Sequence, residues 1–154
     1  VGVIGLISDT HGLLRPAVFD AFSGVDQILH AGDVGDGVLE ELGTIAPVRA
    51  VFGNTDPPDT PGLQQSIEMT VSGFRIHVSH GHELGSPTPQ RLLERYDADV
   101  IVYGHTHRQL VTRADGRLVV NPGAAGHRRF DLKPSVARLT IVRGAVDVEL
   151  IPLG

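Results

Sequence analysis

Five short polar motifs concentrate the residues of this chain that can do chemistry. They are Asp9-Thr10-His11-Gly12, Gly32-Asp33, Gly53-Asn54-Thr55-Asp56, His80-Gly81-His82 and Gly104-His105-Thr106-His107. Their side chains are carboxylates, imidazoles and a carboxamide, donors that suit divalent manganese, iron, zinc, cobalt, nickel or magnesium. There is no cysteine, so thiolate sites and disulfides are excluded and any metal must rest on oxygen and nitrogen. Together the side chains add up to two metal sites. Paired cations can activate a water and polarise an ester, so the expected chemistry is that of a two-metal hydrolase.

Each motif alone is a weak signal. Asp9 and His11 lie two apart, and in an extended segment such positions face one side and could share a cation. The same residues also read as a helix cap and a loop histidine. Asp33 has two oxygens and can bridge two cations, although Gly-Asp is also a common turn. Asn54 offers a neutral, hard oxygen in a setting where asparagine is commonplace, and Asp56 is placed to orient groups around Asn54 or an incoming water. His80 offers a further imidazole; His82 reads as a ligand, an acid or a supporting group. His105 and His107 repeat the spacing of Asp9 and His11. His30, His77 and His127 read as ordinary core or surface histidines, His30 having the best claim to more because it precedes Asp33. The argument rests on conjunction, because all five motifs close strand-like apolar runs and their ligand types are compatible.

Those runs are Val3 to Ile7, Gln27 to His30, Val48 to Phe52, Ile76 to Ser79 and Val100 to Tyr103. Side chains at strand ends converge on the crevice where α/β sheets bind ligands. Between the first three runs lie two helical patterns, one from about Pro16 to Gly24 and one capped by Asp36 and closed by Pro47. This βαβαβ order predicts a parallel sheet with right-handed crossovers. Residues 55–62 hold Pro57, Pro58 and Pro61 and read as an irregular loop that could wall the cleft. Ser66 to Ser79 reads as a hairpin about Ser72-Gly73, and Thr88 to Tyr96 as a third helix with Leu92 and Leu93 inward. Two more hairpins follow, about Asp115-Gly116 and Arg143-Gly144. A parallel half and a hairpin half suggest two sheets packed face to face, with helices outside.

With 154 residues, 41% of them hydrophobic, a single domain over 1–154 is expected. A formal charge of -5 argues against an extended nucleic-acid surface, while a small phosphoester stays compatible because metals supply local positive charge. No apolar run approaches the roughly 20 residues of a membrane span. No charged segment followed by an apolar stretch and a cleavage site opens the chain, so a cytoplasmic protein is expected. Val1 stands where a methionine would start a chain, which weakens that exclusion. Homo-oligomers are common, and the C-terminal hairpin Val136 to Ile151 offers a candidate edge for one.

The ordered string Asp-x-His, Gly-Asp, Gly-Asn-x-Asp, Gly-His and Gly-His-x-His resembles the calcineurin-like metallophosphoesterase superfamily. The short length and Asn121-Pro122-Gly123 resemble its small single-domain phosphodiesterase branch from bacteria and archaea. The resemblance spans residues 3 to about 137. It implies an α/β fold, a four-layer α-β-β-α double β-sandwich with mixed sheets and the site at strand C-terminal ends. It places Asp9, His11, Asp33 and His107 around one metal and Asp33, Asn54, His80 and His105 around the second, with Asp33 bridging. Manganese is the metal it points to.

The resemblance implies hydrolysis of a phosphoester by a metal-bridging hydroxide, a phosphodiesterase acting on small or nucleotide-type substrates being favoured. Many family members carry Gly-Asn-His-Asp, where the histidine is thought to protonate the leaving group; Thr55 stands in its place here. A hydroxyl is a poor general acid, which disfavours monoesters with poor leaving groups and leaves His82 or a metal-bound water to supply the proton. Arg128 and Arg129 could hold substrate phosphate or could be a solvated loop pair. The alternatives are a phosphomonoesterase and a metal-binding interaction scaffold of the same fold, as a retromer subunit of the superfamily is. A structural metalloprotein is the last option, since structural sites are usually closed and often use thiolates.

Overall fold

The computed structural model describes residues 2–128 and 131–153. In chain order the strands are β1 (Gly2–Ile7), β2 (Gln27–His30), β3 (Val48–Val51), β4 (Leu63–Gln64), β5 (Ile67–Val71), β6 (Phe74–Val78), β7 (Val100–Val102), β8 (Leu110–Ala114), β9 (Arg117–Asn121), β10 (Ser135–Val142) and β11 (Ala145–Pro152). The helices are α1 (Ala17–Ala21), α2 (Val38–Leu42) and α3 (Pro89–Arg95), with a 3-10 turn at His82–Leu84. One sheet runs β11-β10-β1-β2-β3-β4 and the other β5-β6-β7-β9-β8.

Period-two alternation in the strands builds the layers. Ile4, Leu6 and Leu29 point inward from the first sheet and meet Ile76, Val78, Val100 and Val120 of the second. The other face of the first sheet, with Ile7 and Ile28, is covered by Val18, Phe22, Val38 and Leu42 of the α1 and α2 segments. Ile101 and Val119 on the outer face of the second sheet meet Leu92 of α3. The result is a four-layer α-β-β-α sandwich with two mixed sheets. Among the described residues no helix is long and apolar enough to cross a membrane.

Three sequence expectations change. The two halves of the chain do not each make one sheet: β10 inserts beside β1, antiparallel, with Leu139 opposite Ile4. The reason is that Ala137, Leu139 and Ile141 on one face of β10 complete the inter-sheet core beside Ile4 and Leu6, while on the other face Val136 joins the helix layer and Arg138 donates to the Ala21 and Ser23 carbonyls. β11 then forms the edge of that sheet. Conversely, β6, β7 and β9 of the second sheet are parallel. Asp36 does not cap α2, because Gly37 takes the cap position at φ 80° and no side chain caps it. The proline-rich loop also ends in β4, too short to leave a periodic signal. The hairpin turns do fall at Ser72-Gly73 and Asp115-Gly116, all four residues at positive φ. Thr88 caps α3 by accepting the Arg91 N–H at 3.2 Å, with Pro89 following.

A Cβ at Gly5 would lie 2.9 Å from the Phe22 ring, so β1 and α1 close together through a missing side chain. Gly5→Ala is expected to destabilise the fold by about 1–3 kcal/mol through overpacking. The penalty should shrink in a Phe22→Leu background. Urea unfolding of the four proteins measures this, and strict additivity would contradict the contact.

His30, at the end of β2, is fully buried. The Gly32 N–H donates to its Nδ1 at 3.1 Å, so the ring proton sits on Nε2, 3.0 Å from the Thr10 hydroxyl. That hydroxyl donates to the Val34 carbonyl at 2.6 Å, tying the loops after β1 and β2 together. Burial holds the His30 pKa down to about 3, against the opposing pull of Asp56. In the unfolded chain its value returns to about 6.5. Between those values the unfolded state binds a proton that the native state refuses, so His30 costs stability progressively as pH falls from about 6.5 to about 3. His30→Gln should flatten that loss. Urea midpoints of metal-free wild type and variant at pH 7.5 and 4.5 should differ in their pH dependence; equal dependence would mean that His30 is not held neutral.

Candidate metal centre

The motifs emerge from the C-terminal ends of β1, β2, β3, β6 and β7. Their loops are stitched by main-chain hydrogen bonds: Asp9 N–H to the Gly32 carbonyl, His11 to Asp33 and Gly12 to Val34, each 2.9 Å, and Gly104 to His80 at 3.0 Å. The stitching holds an unusual backbone. Asp9, His11, Asp33, His105 and His107 have φ between 48° and 74°, in the left-handed region that side chains seldom adopt. Among the described residues the only other non-glycine positions of this kind are Ser72 and Asp115, both in hairpin turns. This corrects the reason given for the Asp-x-His and His-x-His spacing. The segments are not extended, and left-handed turns aim the side chains instead.

Two acidic side chains lie at the centre, Asp9 at 1% and Asp33 at 3% exposure. Asp9 uses Oδ2 to accept the Ser8 hydroxyl at 2.6 Å and the His105 N–H at 3.1 Å. Its Oδ1 has no hydrogen-bond partner and lies 3.5 Å from His107 Nε2 and 3.7 Å from His80 Nε2. Asp33 likewise divides its oxygens. Oδ1 accepts both the Thr55 N–H at 2.9 Å and the Thr55 hydroxyl at 2.8 Å. Oδ2 faces His80 Nε2 at 3.2 Å and His11 Nε2 at 3.6 Å. One oxygen of each carboxylate is thus fixed by the protein, and the other looks into the cluster.

The imidazoles separate into two sides. His11 and His107 stand together, ring centroids 5.6 Å apart, and with Asp9 form one group whose ligand atoms lie within 4.8 Å of one another. Asp9, Asp33 and His80 form a second such group. His105 turns away from His107 toward His80, at 5.2 Å between centroids, so the His-x-His pair does not serve one point. Asn54 brings its Oδ1 to 3.1 Å from His80 Nε2. His82 joins this side, 5.3 Å from His80 and 6.3 Å from His105 by ring centroids.

Hydrogen bonding also sets the ring that matters most. His80 Nδ1 lies 2.8 Å from the Ala31 carbonyl and donates to it, which turns Nε2 toward the carboxylates. Close glycine approaches serve the same end: a Cβ at Gly32 would sit 2.6 Å from His80 Nδ1, one at Gly53 2.1 Å from Asp33 Oδ1, and one at Gly104 2.0 Å from Ser8 Oγ.

Asp56 is buried and its carboxylate is committed to main chain, accepting from Val34, Gly35 and Gly53 N–H groups at 2.9–3.2 Å. It therefore fixes the loops that carry Asp33 and Asn54, with no oxygen left to steer a water. Ser8, Thr55 and Asn121 are the functional neighbours that sequence reasoning did not single out for these roles. Asn121 Nδ2 donates to the Gly104 carbonyl at 3.3 Å and the Thr106 hydroxyl at 3.0 Å, bracing the loop of His105. Only the Asn-Pro-Gly string hinted at it.

The electrostatics ask for cations. Burial pushes the Asp9 carboxyl up to about 6, and the neighbouring Asp33 adds to the rise. For Asp33 burial acts in the same direction, but hydrogen bonds from His80 and Thr55 outweigh it and hold the carboxyl well below its usual range. Burial would lower His80, yet Asp33 and Asp9 raise it. His105 is lowered, first by burial and then by His80. The His11 Nε2 and Asp9 Oδ1 atoms are buried without a hydrogen-bond partner. Apart from His80 to Asp33, the carboxylate–imidazole separations of the cluster, 3.5–3.7 Å, are long for hydrogen bonds. They are close to the spacing of donors that share one cation, about 3–3.5 Å for bonds near 2.1 Å. The residues fit a divalent metal pair.

Beside His11 and Thr55 opens a cleft of about 500 Å³, walled by Pro57 and Thr60 of the proline-rich loop as well as Asp36 and Leu39. A smaller hollow of about 260 Å³ on the His107 side includes Asp131 and Lys133, which no motif announced. Arg128 is exposed on the segment after Gly126, and Arg129 lies outside the described residues.

Residues 3–144 match the model of the calcineurin-like phosphoesterase superfamily domain. A probable metallophosphoesterase of Methanothermobacter thermautotrophicus is 37% identical over 99% of this chain and 93% of its own length. A phosphodiesterase of Methanocaldococcus jannaschii is 28% identical over 78% of this chain and 82% of its own. Among solved structures, wild-type Vps29 complexed with zinc from Entamoeba histolytica superposes with a TM-score of 0.78 at 25% identity, covering 99% of both chains. Motifs, fold and relatives converge: the chain belongs to the calcineurin-like phosphoesterase superfamily.

Proposed function

We propose that this chain is a cytoplasmic phosphodiesterase that works with two divalent cations, manganese being the first candidate. One cation would be held by Asp9, His11, Asp33 and His107, the other by Asp33, Asn54, His80 and His105. The observation that carries this reading is the division of oxygens at Asp33, with Oδ1 fixed by Thr55 and Oδ2 facing both His11 and His80. When bound, the pair of cations lowers the pKa of a water and neutralises phosphoryl oxygens as charge shifts.

The chain's own groups do the rest. Ser8 and the His105 N–H keep Asp9 Oδ1 turned inward, and the Ala31 carbonyl keeps His80 Nε2 there. Thr55 donates its hydroxyl proton to Asp33, so that proton is already engaged and does not serve a leaving group. His82 is the remaining ring at the cluster and is the group we assign to proton delivery or to support of the second site. Weak acid assistance favours esters with good leaving groups. The relative named a phosphodiesterase supports the diester choice. The likeness to Vps29 keeps an interaction scaffold in view, and the carboxylates and imidazoles gathered at the cluster favour the enzyme.

Metal-stripped protein with manganese added back is expected to hydrolyse an aryl phosphodiester faster than the matched aryl monoester. Monoester preference would move the substrate class to small phosphomonoesters. No turnover of either with two metals bound would favour the scaffold.

Supporting partners of metal ligands typically carry about 10–100-fold in affinity or activity. Thr55→Val should therefore weaken manganese binding by about that factor while leaving the fold intact. Asp33→Asn should lose more than about 100-fold in activity, since it removes charge from both sites at once. Metal titration followed by calorimetry separates the two. An Asp33→Asn variant with full metal content and near wild-type turnover would end the bridging role.

A further inference from the structure

The cleft beside His11 and Thr55 has a composition that the metal cluster does not explain. Its volume of about 500 Å³ is in the range of small-molecule sites. It opens directly from the cluster, because His11 Nε2 is 3.6 Å from Asp33 Oδ2 and the Thr55 hydroxyl is 2.8 Å from Asp33 Oδ1. Val34, Leu39, Pro57 and Leu63 give it an apolar lining. Away from His11 at the cluster end, its polar side chains are hydrogen-bond acceptors in character. Asp36 is exposed, and Thr60 Oγ1 has spent its proton on the Pro57 carbonyl at 2.6 Å. The Asp56 carboxylate is filled by main-chain N–H groups. Among the described residues no lysine or arginine lines the cleft.

Resting on the phosphodiesterase reading, we propose that this cleft is the subsite for the ester arm that stays on phosphorus. The occupant it fits is an uncharged, hydroxyl-bearing group with an apolar face, of the nucleoside kind, and not an arm that carries a second phosphate. The apolar walls take the flat or aliphatic face. The hydroxyls donate to Asp36 and Thr60. A second phosphate would meet Asp36 with no cation to offset it, and acceptors offer it nothing.

Three diesters with the same p-nitrophenolate leaving group test this on the manganese-loaded protein. Their retained arms are methyl, thymidine, and thymidine bearing a 3′-phosphate. The methyl ester reports the metal site alone. The thymidine arm should lower KM about tenfold or more relative to methyl, and the added phosphate should remove that gain. Leu39→Trp, which fills the cleft, should raise the KM of the thymidine ester to that of the methyl ester. Asp36→Lys should restore binding of the phosphorylated arm.

A second readout does not depend on turnover. Millimolar thymidine added to metal-free protein should shift the methyl NMR signals of Val34, Leu39 and Leu63, and Leu39→Trp should silence the response. Hydrolysis of the methyl ester without a thymidine advantage, or an advantage that survives Leu39→Trp, would overturn the subsite and leave the phosphodiesterase reading standing. Failure to hydrolyse any of the three would instead sink that reading, and the subsite with it.

Discussion

Two buried carboxylates set the terms for the rest of this molecule. Asp9 and Asp33 are almost wholly withdrawn from water, and their charges oppose each other. In such surroundings an ionised carboxylate is costly unless it is paired and hydrogen-bonded. The protein fixes half of each group: one oxygen of Asp9 with Ser8 and His105, one oxygen of Asp33 with Thr55. The other halves look toward imidazoles that can be neutral ligands only if cations carry the charge. On the proposed reading the metals complete an electrostatic balance that side chains alone leave short.

That requirement propagates into the backbone. Left-handed conformations at non-glycine residues cost of order 1–3 kcal/mol each and persist only where surrounding structure holds them. Here Asp9, His11, Asp33, His105 and His107 all carry this strain within one cluster. What holds them is the main-chain stitching between loops, the three N–H groups gathered by Asp56, and the tie from His30 through Thr10 to Val34. The rigid sandwich beneath supplies the fixed ends. A buried neutral histidine and a buried aspartate whose oxygens are spent on main chain are therefore as much part of its geometry as the ligands are.

This division explains how far the sequence could be read. Alternating and continuous apolar runs located most strands, and Ser72-Gly73 and Asp115-Gly116 marked their turns, because those signals are local. The insertion of β10 beside β1 was not legible, since it pairs segments more than a hundred residues apart and no local signal marks which sheet Ala137, Leu139 and Ile141 complete. Donor types at strand ends exposed the candidate ligands. The reason they converge was misread, because φ is not written in a two-residue spacing. His105 and His107 look equivalent in the sequence and serve opposite sides in space. Thr55 stood out as a missing acid, while its contact with Asp33 required the fold.

The same threonine gives the site its asymmetry. On one side stand His80, His82 and His105, a wall of rings. On the other, His11 and Thr55 border an open cleft that, among the described residues, holds no lysine or arginine. In-line displacement at phosphorus places the attacking and leaving oxygens on opposite sides of the transferring group. On the proposed reading, with the Thr55 proton committed to Asp33, proton delivery would fall to the imidazole wall and the bulk of the retained ester arm to the cleft. A histidine at position 55 would place an acid beside the cleft and remove that separation. On that reading the threonine does more than replace one acid: it would decide which side of the site is left for recognition.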